Sequence, residues 1–152
     1  MVYEQFSWVL PSPFVCSWQI NETHIDHYHH VNNVEYVKQL EVTAWKHSNA
    51  LGLTIEQYQS LDRGMAISRH EIDYLASAVE GDNILCATWL VDCDRRLKLA
   101  RQFQFIRESD GATLLKARTE FVCIALSSGK PKRMPSIFSE TYGNAMVTLE
   151  NN

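Results

Sequence analysis

Asp26-His27-Tyr28-His29-His30-Val31-Asn32-Asn33-Val34-Glu35-Tyr36 is the stretch on which the reading of the fold turns. It gathers two carboxylates, three histidines, two asparagines and two tyrosines. Upstream, Phe14 to Ile20 is rich in aromatic and β-branched residues and reads as a strand. Downstream, Asn33 to Leu51 reads as a helix closed by Gly52, a C-cap signal. The polar stretch therefore sits where strand gives way to helix. A helix start presents unpaired backbone N–H groups and a partial positive charge. A carboxylate just upstream of it is one simple way to build a hydrolytic site. One part attacks or activates water, and the other holds the oxyanion that develops.

Within the helix, Val34, Val37, Leu40, Ala44, Trp45 and Leu51 fall on one side, which predicts the face packed on a sheet. Glu35, Gln39, Val42, Lys46 and Asn49 fall on the other. Glu41 lies within the apolar face, where an unpaired carboxylate is costly to bury. A buried pair with Arg69, His70 or another polar group on the facing strand is the expected solution. Thr54 to Leu61 predicts a short second helix, with Thr54 as N-cap and Gln57 three residues later.

After Gly64 the period changes. Four strand-like runs follow, roughly Met65–Leu75, Asn83–Asp92, Leu97–Arg107 and Thr113–Leu126. Turn-like links such as Gly81-Asp82 and Ser109-Asp110-Gly111 separate them. Short links between consecutive strands predict antiparallel pairing. Pro131 and Pro135 bracket a basic loop, and Ile137 to Asn144 predicts a final short helix. One long helix against one antiparallel sheet is an α+β layer arrangement. A helix covers only one sheet face. The other must be polar, covered by loops or buried in an oligomer, and the aromatic strands (Trp89, Phe103, Phe105, Phe121) point to a homo-oligomer.

The bulk properties narrow the function classes. A chain of 152 residues fits a single domain with a substantial core. Its 45% hydrophobic and 21% charged residues are the balance of an ordinary soluble globular protein. The net charge of −4 leaves no excess of Lys and Arg to neutralise phosphates, so nucleic acid is not the expected partner. The four cysteines are widely spaced and read as reduced thiols, which implies a cytoplasmic protein. The N-terminus has no basic, apolar leader pattern, and no segment approaches the ~20 apolar residues that cross a bilayer, so no membrane partner is expected.

Three motifs, in order along the chain, resemble the hotdog-fold acyl-CoA thioesterases of the 4-hydroxybenzoyl-CoA thioesterase-like group. The first is Asp26-x-x-x-His30-Val31-Asn32-Asn33-x-x-Tyr36. The second is Arg69-His70-Glu71-Ile72-Asp73-Tyr74, followed by Gly81-Asp82. The third is Thr119-Glu120-Phe121-Val122-Cys123-Ile124, followed by Gly129 to Pro135. They span roughly residues 14 to 136, and the first is the most specific. The resemblance implies an antiparallel sheet wrapped around one long central helix. It also implies sheets joined edge to edge in a homodimer, often paired into a homotetramer, with the active site at the subunit interface. Plant acyl-carrier-protein thioesterases have a similar segment with Asn where this chain has Tyr28, so a mechanism relying on that Asn does not carry over. Many relatives have Gly before the His; here it is His29.

Thioester hydrolysis needs an attacking oxygen and a site for the oxyanion. Asp26 is the candidate for the first, as nucleophile or as general base for water. The backbone N–H groups near His30 to Asn33 are candidates for the second. Asn32 and Asn33 fit N-capping as well. His30 is read either as orienting Asp26 or the substrate, or as structural. Val31 and Tyr36 are candidate pocket residues. Lys130, Lys132 and Arg133 are candidates for the phosphates of coenzyme A, with Arg69 and Arg101 weaker. His24, His27 and His29 follow no established zinc spacing, so no metal and no cofactor beyond the CoA of the substrate are expected. The leading function is hydrolysis of an acyl or aroyl thioester to the acid and CoA. The alternatives are a non-catalytic acyl-CoA or lipid-binding dimer, an acyl-carrier-protein thioesterase and an enoyl-thioester hydratase. The hydratase pattern Asp-x-Asn-Pro-x-His is not matched by Asp26 to His30.

Overall fold

A computed structural model describes residues 3–148. Its elements are β1 (Phe14–Gln19), α1 (Asn33–Ala50), α2 (Ile55–Ser60), β2 (Arg63–Tyr74), β3 (Asn83–Cys93), β4 (Lys98–Arg107), β5 (Thr113–Ala125) and α3 (Ser136–Asn144). Each expected strand and helix forms within a few residues of its predicted limits. The caps show why. The Asn32 side chain accepts from Val34 N–H at the start of α1. Gly52, at φ +91°, takes the left-handed position just beyond its end. Thr54 and Gln57 close the expected capping box on α2.

The sheet has five strands in the order β1-β3-β4-β5-β2, every neighbouring pair antiparallel. The short link from β2 to β3 does not make a hairpin, contrary to the sequence reading. β2 instead crosses to the far edge and pairs with β5. β1 and β2 are therefore the two edges.

The inner face of the sheet receives α1, and the predicted stripe holds in part: Leu40 is buried and Ala44, Trp45 and Leu51 pack against the core. The side chains of α1 that are buried are Tyr36, Gln39, Leu40, Thr43 and Ser48. Val34 remains 57% exposed and Val37 37%. The buried face also takes in polar groups of α1 that find partners. Thr43 Oγ1 donates to the Gln39 carbonyl at 2.8 Å. His47 stacks on Phe14 of β1 at 4.9 Å, and Trp18 meets Tyr36 edge-on at 5.7 Å. A count of apolar residues does not register such pairings. Glu41 is exposed and makes no ion pair among the described residues, so the expected buried pair with Arg69 or His70 does not form.

The outer face is dealt with in two ways. Over β3 and β4 the N-terminal segment lies across it: Trp8 meets Trp89 edge-on at 6.3 Å, and Gln104 Oε1 accepts from Val9 N–H at 2.9 Å. Over β2 and β5 the face is polar, with Arg69 paired to Glu71 and Arg118 to Glu120. In β2 the register shifts between Ile67 and Arg69. This bulge at Ser68 keeps Met65, Ile67, His70 and Ile72 on the inner face, where simple alternation would turn His70 outward.

Candidate active site

The segment ahead of α1 is a tight, hydrogen-bonded loop. Asp26 N–H donates to the His30 carbonyl at 3.0 Å, and His29 N–H donates back to the Asp26 carbonyl at 3.0 Å. The Asp26 side chain is half-buried, and its Oδ1 accepts from Tyr28 N–H at 2.8 Å. Its other oxygen has no partner among the described residues. This turn of an Asp onto the N–H two residues on is a local device that fixes the carboxylate.

His29 closes the loop with φ +65°. Glycine takes positive φ at no steric cost. Histidine tolerates the region better than most residues. His29→Gly is therefore expected to shift the melting temperature by only a few degrees. His29→Val is expected to cost about 1–2 kcal/mol, because a left-handed conformation brings Cβ against the carbonyl. Thermal unfolding of both variants checks this, and equal tolerance of Val and Gly would show that the left-handed turn does not matter.

Asp26, His30, Val31, Asn32, Asn33 and Tyr36 line one cleft. The end of β2 and the residues just after it, Tyr74 to Ser77, form the other wall. Apart from Tyr74, which ends the second motif, these wall residues carry no sequence signal of their own, since a strand pairing far along the chain places them. Two of the amides expected to be free are not. Val31 N–H donates to the Ala78 carbonyl at 3.0 Å, and Asn32 N–H to the His24 carbonyl at 2.9 Å. The N–H groups of His30 and Asn33 have no acceptor among the described residues, which narrows the candidate oxyanion donors to these two. The His30 imidazole is exposed and makes no hydrogen bond to Asp26. The Tyr36 hydroxyl is buried without a hydrogen bond among the described residues. Burial pushes its phenol up.

The basic candidates stand elsewhere. Arg69 is on the outer, solvent face with Glu71. Lys130, Lys132 and Arg133 are exposed in the turn after β5, where the Arg133 carbonyl accepts from Arg63 Nε at 3.1 Å. Arg63 begins β2 and Tyr74 ends it, so the basic turn and Asp26 sit at opposite ends of a strand up to roughly 36 Å long. Arg101 is buried and so is no surface phosphate ligand. Among the described residues no three His, Cys, Asp or Glu side chains converge as metal ligands, and no helix is long and apolar enough to cross a membrane.

A family model described as the thioesterase-like superfamily matches residues 20–141. The chain belongs to this superfamily. Solved structures agree on the hotdog fold. A 1,4-dihydroxy-2-naphthoyl-CoA thioesterase from Synechocystis superposes with TM-score 0.78 at 18% identity, over 88% of this chain and 97% of that one. A Staphylococcus aureus protein solved in complex with CoA gives 0.81 at 17%, over 96% and 93%. The 12:0-ACP thioesterase from Umbellularia californica gives 0.78 at 12%, over 90% and 55%. A search of curated protein sequences returns no match. These structural likenesses are likenesses of fold alone. In this thioesterase-like chain, Asp26 stands beside the start of the central helix, in the same cleft as His30 and Asn33, whose N–H groups are unclaimed among the described residues.

Proposed function

We propose that this thioesterase-like protein hydrolyses acyl-CoA thioesters at the Asp26 cleft. The observation that carries the reading is the pairing of a half-buried carboxylate, held by Tyr28 N–H at 2.8 Å, with the unclaimed N–H of Asn33 in the same cleft. The thioester carbonyl sits against the helix start, and the His30 and Asn33 N–H groups hold the oxyanion. The free Asp26 oxygen attacks the carbonyl carbon or deprotonates a water that does. The CoA thiolate leaves without needing a strong acid, and no metal takes part. Thiol release from short, long and aromatic acyl-CoAs by the purified protein tests the reading, with an acyl carrier protein thioester in parallel. Binding of every substrate without thiol release would instead support the acyl-CoA-binding module. A chelator is expected to leave the rate unchanged.

The cleft is completed by a second copy of the chain. β2 is an open edge, and Ile67, Tyr74 and Leu75 beside it are exposed, as are Val34 and Val37 of α1. An open edge next to exposed apolar side chains invites pairing. A two-fold axis through β2 runs the two edges antiparallel. It sets one protomer's Tyr74 end beside its partner's Arg63 end, bringing the partner's basic turn towards Asp26. Replacing Lys130, Lys132 and Arg133 together by Ala is thus expected to raise KM for acyl-CoA about ten-fold, with kcat unchanged. The effect should shrink as salt screens the charges. Steady-state kinetics at two ionic strengths decide it, and an unchanged KM would remove these residues from the CoA site.

A further inference from the structure

Another cavity lies between α1 and the sheet, away from Asp26, and a polar row crosses its floor. Arg101 on β4 is opposite Thr119 on β5, and Thr119 is opposite His70 on β2. His70 Nδ1 and Thr119 Oγ1 are hydrogen-bonded at 2.8 Å. This polar row is flanked by apolar rows, Leu99–Phe121–Ile67 on one side and Phe103–Ala117–Ile72 on the other. Leu40, Ala44 and Trp45 of α1 close the cavity from above.

Arg101 is only 2% exposed. A guanidinium stays charged in proteins, and buried charges are normally paired with an opposite one. Among the described residues Arg101 has no carboxylate partner. Its neighbours are neutral. It donates to His47 Nδ1 at 2.7 Å and to Ser48 Oγ at 2.9 Å, and it lies over the Tyr142 ring at 5.9 Å. Burial, and then the guanidinium itself, hold His47 down at about 4, so it is a neutral acceptor. Glu41 stands at the rim but is exposed, seven residues before Ser48 and so about 10 Å away along the helix.

The geometry points to a binding site for a carboxylate carried on a small apolar body, with Arg101 as its counter-charge and Thr119 and His70 beside it. The cavity measures about 70 Å³. One water needs about 10–15 Å³ on that scale, so a carboxylate and a few carbons fit. Ser48 lies sixteen residues beyond Asn32, roughly 24 Å along α1. The Arg101 end of the site is thus at the opposite end of the helix from the Asp26 of the same protomer. The carboxylate comes either from the far end of an acyl group held across two protomers or from a separate small acid. Only the first of these sources rests on the thioesterase reading.

Calorimetric titration of the full chain with 3-methylbutanoate and with 3-methylbutanamide tests the site itself. The two probes share a shape and differ in charge. One carboxylate per chain is expected to bind, at least ten-fold more tightly than the amide, and Arg101→Met should abolish that difference. Equal binding of the two by the wild type, or no binding of the carboxylate, overturns the proposal. The wild-type comparison decides this even where Arg101→Met does not fold, and Thr119→Val supplies a milder variant expected to weaken the carboxylate several-fold. Kinetics with glutaryl-CoA and 5-methylhexanoyl-CoA, which replaces the carboxylate by an isopropyl group, then separate the sources. A ten-fold or greater preference for glutaryl-CoA in kcat/KM assigns the carboxylate to the acyl group. Equal rates with carboxylate binding retained assign it to a separate acid. Thiol release from neither, with binding retained, counts against the hydrolase reading and leaves the site standing.

Discussion

Asp26→Asn is expected to lower kcat for acyl-CoA hydrolysis by at least about 100-fold, the range in which loss of a positioned base or nucleophile falls. The substitution keeps the local structure. An amide oxygen can still accept the Tyr28 N–H now bonded to Oδ1 at 2.8 Å. The backbone bonds between residue 26 and residues 29 and 30 do not involve the side chain. KM and the melting temperature should therefore change little while turnover collapses, which separates loss of chemistry from loss of fold. Steady-state thiol release and thermal unfolding of the same preparation check both halves. Unchanged turnover would sink the assignment of Asp26 and redirect attention to Glu41, the carboxylate at the rim of the Arg101 cavity.

Acidification is expected to destabilise the protein through His47. This imidazole sits between Phe14 and Arg101, and burial, followed by the Arg101 charge, holds its pKa at about 4 instead of 6.5. In the unfolded chain it takes up its proton near 6.5. Between these values the unfolded state binds more protons, so falling pH favours unfolding. The contribution is fully present above pH 6.5 and is lost as pH falls to about 4, amounting to about 3 kcal/mol. The folded state resists protonation for a simple reason. An imidazolium cannot accept from Arg101 Nη1, and it would place two buried cations 2.7 Å apart. Denaturant unfolding of the wild type and His47→Gln across pH 4–7 isolates the effect, because Gln keeps a neutral acceptor. The wild type should lose about 3 kcal/mol more than the variant over this range; parallel curves would show that His47 is not held neutral.

Local chemistry was legible in the chain from the outset. Asn32, Gly52 and the Thr54–Gln57 pair mark helix ends because each acts within four residues of its own position. The strands of the second half follow from runs of apolar and aromatic residues between turn signals. The segment from Asp26 to Tyr36 was legible for the same reason: its loop and cap are closed by its own atoms. Everything that depends on distant pairing was decided only in three dimensions. The placement of β2 at the edge, across from β5, sets Tyr74 to Ser77 against Asp26 and carries the basic turn to the other end of the strand. The bulge at Ser68 turns His70 inward. The buried face of α1 takes in Gln39, Thr43 and Ser48, whose partners lie on other elements or on the preceding turn. Two amides of the helix start are consumed by His24 and Ala78, leaving those of His30 and Asn33. The burial of Arg101 without a carboxylate belongs to the same class, since its cost and its use depend on what five separate elements place around one guanidinium. Sequence determines which groups are available near one another along the chain; tertiary packing determines which remain unpaired, and unpaired groups are the ones free to do chemistry.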